Sequence, residues 1–276
     1  MKWYFCIESH GLRVVSPYIK AAVASCRKNT DLTPICLYYD RYGLIDEDLA
    51  DFLRQYDVEL IQRTSRVYLA ATQYHHVVTS HMTQGCFLRF DIPLIEKTDE
   101  YVLYTDCDVI FQNPIDLDEM RPKFFAAAPE FHMDMWGYFN SGVLLMNVEE
   151  MRRTSDDLLA ATLARMRAGF GTSHDQGDLN AFYFEQWDRL PPVYNWKPYW
   201  GVNDGAKIIH FHGVKPGDFY CLVKGLKEDA VGKRLIDLNH SAYLHYVSEF
   251  LAYLQSAGLE YFVDNSGYGF CVKRNS

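Results

Sequence analysis

The chain predicts an α/β fold, a mostly parallel central sheet flanked by helices with a helical appendage at the C-terminus. Three observations predict it. Through the first sixty residues, short apolar runs of strand length alternate with segments of helical period, in the order strand, helix, strand, helix, strand. That is the pattern of a parallel sheet with helical crossovers. Several later runs are apolar throughout, as strands covered on both faces are. Finally, 49% of the 276 residues are hydrophobic and 15% aromatic, enough for a sizeable core and too much for a disordered chain.

Taken in order, Trp3 to Ile7 make a first, central strand. Ser16-Pro17 reads as an N-cap followed by proline at the first helical position. Ile19, Ala22, Val23 and Cys26 follow at helical spacing. Residues 35–39 form the second strand, closed by Asp40 and Gly43. Asp46 caps a helix with Leu49, Phe52, Leu53 and Tyr56 on one face, and residues 58–61 form the third strand. Residues 64–85 have no clear period and read as an irregular connection on the surface. Within it, His75, His76 and His81 do not fall on one face and read as loop histidines rather than a metal site. Residues 87–95 look helical, with a break or kink at Pro93.

Residues 101–111, Tyr-Val-Leu-Tyr-Thr-Asp-Cys-Asp-Val-Ile-Phe, carry the clearest chemistry. An apolar run ends on Asp106 and Asp108, then turns apolar again before Asn113-Pro114. Two carboxylates at the end of a core strand are costly unless a metal ion or a basic side chain holds them. Spaced i and i+2 where the chain turns, both can reach one hard divalent cation. Mg²⁺ or Mn²⁺ keeps about six positions, which leaves room for phosphate oxygens.

Two further strands follow at 124–128 and 142–148, then a helix from about Ser155 to Arg167. Residues 131–139 are rich in aromatics and Met, a binding loop or simply core. The glycines of residues 169–177 are too few and wrongly spaced for a phosphate loop. Residues 191–205 are loop-like and aromatic, and residues 207–216 read as a short strand running into His210, His212, Gly213 and Lys215. A histidine there would shift the preference from Mg²⁺ towards Mn²⁺, because imidazole is the softer ligand. Lys215 is placed to face whatever the metal holds. Each piece also has a plainer reading: Asp106 as a helix cap, His210 as a buried hydrogen-bonded ring, Lys215 as a surface residue. Beyond Gly217, Tyr243, Tyr246, Val247, Phe250, Leu251 and Leu254 form the stripe of a packed helix.

The net charge of −9, with no block of Lys or Arg, makes nucleic acid and anionic membranes poor partners. The seven Cys are scattered, without a C-x-x-C pair, and read as free thiols in a reducing compartment. The apolar start is too short for a signal peptide, and no window approaches a transmembrane segment. A soluble, cytoplasmic protein is expected.

Four ordered motifs now resemble glycosyltransferase family 8. They are Asp106-Cys107-Asp108; residues 138–147, Tyr-Phe-Asn-Ser-Gly-Val-Leu-Leu-Met-Asn; Asp175-Gln176 followed by Leu179-Asn180; and His210-Phe-His-Gly213-x-Lys215-Pro216. The family comprises retaining transferases of the GT-A fold, glycogenin and bacterial lipopolysaccharide galactosyl- and glucosyltransferases among them. The resemblance covers residues 1–216, which would be the GT-A domain, with 217–276 a helical extension packed on it. It implies a UDP-sugar donor, a saccharide or glycoconjugate acceptor, and Mn²⁺ (or Mg²⁺) held by Asp106, Asp108 and His210.

By the same resemblance, Gly213 and Lys215 would contact the phosphates, Cys6 and Glu8 would line the uridine pocket, and Cys107 would lie against the ribose. Arg89 would meet the donor sugar, and Asn140, Asp175 and Gln176 would surround its anomeric carbon, the last two as catalytic candidates. Glu130 is a further candidate for donor or acceptor contact. The chain departs from the family pattern at Glu8, where Asp is usual, and at Gly177, where a third acidic residue is common. One residue, Val214, separates Gly213 from Lys215 in place of two, and Gly217 stands where Trp is usual, which makes His212 a possible extra contact.

The expected reaction is transfer of glucose or galactose with retention, by front-face attack in which the departing phosphate helps deprotonate the acceptor. Two rivals stand beside it: a non-catalytic nucleotide-sugar or carbohydrate-binding protein of the same fold, and a haloacid dehalogenase-type phosphatase with Asp106 as nucleophile.

Overall fold

The computed structural model describes residues 1–8, 12–39, 45–72, 82–169, 174–264 and 269–274. The strands are β1 (Lys2–Glu8), β2 (Thr33–Tyr39), β3 (Glu59–Gln62), β4 (Tyr101–Thr105), β5 (Val109–Phe111), β6 (Phe125–Pro129), β7 (Phe139–Asn147), β8 (Asp188–Arg189), β9 (Ile208–His210), β10 (Leu259–Asp264) and β11 (Gly269–Arg274). The helices are α1 (Leu12–Asn29), α2 (Glu47–Gln55), α3 (Arg66–Ala71), α4 (Met82–Phe87), α5 (Ile92–Ile95), α6 (Val148–Arg153), α7 (Ser155–Arg167), α8 (His174–Phe182), α9 (Pro216–Val223), α10 (Ala230–Leu238) and α11 (His240–Ser256).

The main sheet has the order β3-β2-β1-β4-β7-β6-β8. β7 runs against both of its neighbours, and every other pairing in the sheet is parallel. The period of two along each strand divides the core into two layers. Trp3, Phe5 and Ile7 of β1, Leu103 of β4 and Val143 and Leu145 of β7 pack on the face that carries α1, α2 and α11. Tyr4, Val102, Tyr104, Leu144 and Met146 point to the opposite face, with residues of α3, α6, α7 and α8. Coverage on both sides is why β4, β6 and β7 are buried along almost their whole length, with Thr105, Asn140, Ser141 and Asn147 as polar exceptions to their apolar runs.

Several expectations move. α1 begins at Leu12, so Pro17 lies inside it rather than at its start. A proline there leaves one backbone carbonyl without its usual N–H partner. The buried stripe of Ile19, Ala22, Val23 and Cys26 against β5 and α11 outweighs that loss, since packing rather than propensity supplies most helix stability. The connection read as irregular from 64 to 85 contains α3 and the start of α4; His75, His76 and His81 lie outside the described residues. Before β4, a 3-10 turn over Leu88–Asp91 leads into α5, whose first turn Pro93 occupies without breaking it. β7 starts at Phe139, three residues earlier than expected, because the bulge between Ala127 and Ala128 of β6 lets pairing continue to Pro129. The C-terminal part holds α9, α10 and α11 and also a β10–β11 hairpin that lies against α1, α9 and α11. Among the described residues, no helix is long and apolar enough to cross a membrane.

Candidate active site

β1 and β4 end, and the antiparallel β7 begins, at one edge of the sheet; ligands in open α/β sheets sit outside such carboxyl ends. Asp106 follows β4 and is fixed by its backbone N–H, which donates to Gly142 O at 2.8 Å. Asp108 immediately precedes β5, which leaves the main sheet and pairs antiparallel with β9, Val109 opposite His210. The Phe211 N–H donates to Asp108 O at 2.9 Å. This register brings His210, about a hundred residues away in sequence, beside the two carboxylates.

Each carboxylate commits one oxygen to protein and turns the other towards His210. Asp106 Oδ1 accepts from Arg89 Nη2 at 2.8 Å and from the Tyr104 hydroxyl at 2.8 Å. Asp108 Oδ2 pairs with the Lys215 ammonium. The remaining oxygens lie 3.9 Å (Asp106 Oδ2) and 3.6 Å (Asp108 Oδ1) from His210 Nε2. One ligand atom from each of the three residues lies within 4.8 Å of the others, two hard carboxylate oxygens and a softer imidazole nitrogen that together fit a divalent cation.

The local charge also fits. Burial works against an ionised Asp108, yet Lys215 and His210 together hold its carboxyl well below the ordinary range. Burial likewise pushes the Asp175 carboxyl up, against the pull of the Arg89 guanidinium 3.0 Å away. Arg89 is buried, lies over the Tyr104 ring at 4.4 Å and bridges Asp106 to Asp175. Three carboxylates therefore share two side-chain cations, and the net negative charge left over favours a bound cation.

Behind His210 lies a network of amides that residue pattern alone did not single out. Asn195 is fully buried between His210 Nδ1 and Asn140 Oδ1, 2.9 Å from each. Asn140 also reaches Glu130 Oε2 at 2.8 Å and Gln176 Oε1 at 3.2 Å, and Gln176 Oε1 accepts the Ser141 N–H at 2.9 Å. Gly142 makes the close approach possible: a Cβ there would sit 2.2 Å from His210 Cε1. Asn195 lies in the Pro-rich stretch before β9, and nothing in its sequence neighbourhood marks it. Gly142 stood within a quoted motif, but only the fold reveals what its missing side chain admits.

Glu130 leads to a second cluster. His212 Nε2 is 3.0 Å from Glu130 Oε1, and the Tyr199 hydroxyl is 2.9 Å from His212 Nδ1. Burial alone would raise the Glu130 carboxyl, but the His212 and Asn140 contacts bring it down to about 2. Lys197 is fully buried, donates to Pro129 O at 2.6 Å and lies over the Trp200 ring at 4.2 Å. Burial pulls its ammonium down to about 7. Beside this cluster, Phe131, Met133, Met135 and Tyr138 are exposed, so most of the aromatic segment is surface rather than core.

The other expected residues gather at the same edge. The Cys107 thiol donates to Cys6 O at 3.3 Å, and Glu8 Oε2 accepts the Gly85 N–H at 3.3 Å. Gly213 has φ +81°, and a Cβ there would lie 2.5 Å from Leu235 Cδ1, so the turn between His212 and Lys215 requires glycine. Asp175 is buried beneath Arg89 with Ser141 Oγ at 3.3 Å, while Gln176 is half-buried at the start of α8.

A mostly parallel sheet with carboxylates at the exit of a central strand and a histidine returned to them by a small second sheet defines a GT-A glycosyltransferase fold. Solved structures agree. Glycosyltransferase GlyE of Streptococcus pneumoniae TIGR4 matches with TM-score 0.56 and 19% identity over 93% of this chain and 64% of that one. The galactosyltransferase LgtC, solved with donor and acceptor sugar analogs, matches with TM-score 0.57 and 16% identity over 87% of this chain and 96% of that one. The family model for glycosyl transferase family 8 matches residues 16–218, and the chain belongs to that family.

Among curated relatives, glycosyltransferase GlyB of Streptococcus pneumoniae serotype 4 is 26% identical over 69% of this chain and 56% of its own length. General stress protein A of Bacillus subtilis is 29% identical over 45% of this chain and 50% of its own length. The chain thus spans about half the length of these relatives.

Proposed function

We propose that this protein is a retaining hexosyltransferase that moves glucose or galactose from a UDP-sugar to a saccharide or glycoconjugate acceptor. The observation that carries the reading is the convergence of Asp106, Asp108 and His210, with Lys215 beside them, at the strand ends of a GT-A sheet. A divalent cation held there, Mn²⁺ or Mg²⁺, would offset charge developing on the departing diphosphate.

The chain's own residues supply the rest. Lys215, a third exposed and set by the Gly213 turn, can share its ammonium between Asp108 and the donor's phosphates. Cys6, Glu8 and Cys107 line the nucleoside side. Arg89 orients Asp106 and Asp175 and closes the floor beneath the donor sugar. Asn140 and Gln176, at the starts of β7 and α8, flank the anomeric carbon. Asp175 is buried and paired with Arg89, which supports attack from the leaving-group face over a covalent sugar on Asp175. Glu130 and His212, beside the exposed aromatic segment, are the groups nearest an incoming acceptor hydroxyl. Residues 1–216 act as the transferase unit, and 217–276 brace it through α11 against α1. Cys6, Cys26, Cys36, Cys107 and Cys221 are free thiols, which supports a cytoplasmic setting.

The test is release of UDP from UDP-glucose and UDP-galactose with Mn²⁺, with and without acceptor saccharides. Turnover should disappear with chelator and in Asp108→Ala. Tight donor binding without release of UDP under any of these conditions would instead establish a non-catalytic binding protein. Intact mass showing hexose on Asp175 would replace front-face attack with double displacement.

A further inference from the structure

We infer that Asn195 is a positioning residue: it holds His210 in the tautomer whose bare Nε2 faces the two carboxylates, and Asn140 and Glu130 hold Asn195 in turn. The inference rests on Asp106, Asp108 and His210 being the metal ligands. It follows from two backbone donors whose direction is beyond doubt. The Gly142 N–H points at one end of the Asn140 amide at 3.1 Å, so that end is the oxygen. The Ser141 N–H points at Gln176 at 2.9 Å, so the Gln176 atom there is also an oxygen. The other end of Asn140 then carries the NH₂ group and meets acceptors only, Glu130 Oε2 at 2.8 Å and Gln176 Oε1 at 3.2 Å. Turning the amide over would set oxygen against carboxylate and NH₂ against N–H.

With Asn140 settled, its oxygen faces Asn195 at 2.9 Å, and only the Asn195 NH₂ can meet it. Asn195 Oδ1 is therefore the end that faces His210 Nδ1 at 2.9 Å, where only an N–H can meet it. In the neutral ring the proton sits on Nδ1, and the Nε2 lone pair is left towards Asp108 Oδ1 at 3.6 Å and Asp106 Oδ2 at 3.9 Å.

Burial makes the chain of bonds strict. Asn195 is 0% exposed, Asn140 3% and His210 2%, so water is poorly placed to substitute for a missing partner. The opposite tautomer would set Nε2–H towards the metal and leave Nδ1 and Asn195 Oδ1 as two facing acceptors. The arrangement couples the two halves of the site: Glu130, on the side of the exposed aromatic segment, orients through two amides the imidazole on the metal side. Outer partners of this kind are worth about 10- to 100-fold in metal affinity.

The test begins with the intact wild-type chain. Two-dimensional ¹⁵N–¹H NMR of the neutral His210 ring should show Nδ1–H with Nε2 bare. An Nε2–H pattern overturns the inference, and this holds even if no Asn195 variant folds. Mn²⁺ titration by calorimetry should give about 10- to 100-fold weaker binding for Asn195→Leu. Unchanged Mn²⁺ affinity and an unchanged ring tautomer in a folded Asn195→Leu would also overturn the role. Failure of the metal-site reading is separate and visible: the wild-type chain would then bind neither Mn²⁺ nor Mg²⁺, whatever the tautomer.

Discussion

Where the ends of β4 and β9 meet the start of α8, each Asp has a cationic partner: Asp106 and Asp175 share Arg89, and Asp108 takes Lys215. Between β6 and β7, Phe131, Met133, Met135 and Tyr138 instead present large apolar side chains to solvent. The first region is set by strand ends, by a fixed register and by buried hydrogen bonds. The second is a surface segment that rests on a few contacts such as Trp200 Nε1 to Phe131 O at 2.7 Å. On the proposed function, the corner that would hold a charged diphosphate is built rigidly in advance, whereas the segment proposed to meet the acceptor stays open and apolar.

The largest test of that contrast is Asp108→Ala. It removes one of the three proposed metal ligands and strands the Lys215 ammonium, and UDP release should fall at least about a hundred- to a thousandfold. Gly142→Ala should come next, because the added Cβ meets the His210 ring from strand backbone that cannot move away. We expect about 1–3 kcal/mol of destabilisation by denaturant titration and a drop in Mn²⁺ affinity. Equal activity in Gly142→Ala would mean that the imidazole position is not critical and that the corner is less rigid than described.

Lys197 offers a test by pH. Its folded-state ammonium titrates near 7, below its ordinary value, so between about pH 7 and 10 the unfolded chain binds more protons than the folded one. Stability from this group therefore rises with pH through that window, by up to about 1.4 kcal/mol per pH unit. Lys197→Met should lack that rise in urea midpoints measured from pH 7 to 10. Smallest in stability should be Met135→Ser and Phe131→Ser, within about 0.5 kcal/mol, while the acceptor's KM rises. A larger loss of stability would show the segment to be packed and would erase the contrast.

How far each region could be read from the sequence differs in the same way. β4 and its carboxylates were legible because a buried strand writes its apolar run directly into the chain and two acids at its end stand out. The helix Ser155–Arg167 and the Asp46 cap, whose side chain accepts the Leu49 N–H, were legible for similarly local reasons. The pairing of β5 with β9 was not, because three-residue strands a hundred residues apart carry no periodic signal. Asn195 was invisible for a related reason: its role exists only once Asn140 and His210 are brought to either side of it. α3 was missed because six residues are too few to display a helical stripe, and Pro17 misled because a local cap signal lost to the packing of α1. The final hairpin alternates partly apolar and polar residues, but the helical stripe of α11 before it dominated the reading.

The β5–β9 register has a consequence for how the chain reaches its final form. These strands close a loop of nearly a hundred residues with only three residue pairs, a high entropic cost for little reward. Sliding β9 by one residue would turn His210 away and bring Ile209 or Phe211 towards the acids. A cation bound only by the correct pairing adds its binding energy to that pairing alone. The ion would thus act as a proofreader of assembly, stabilising the chain in which the last third has docked in register over those in which it has not.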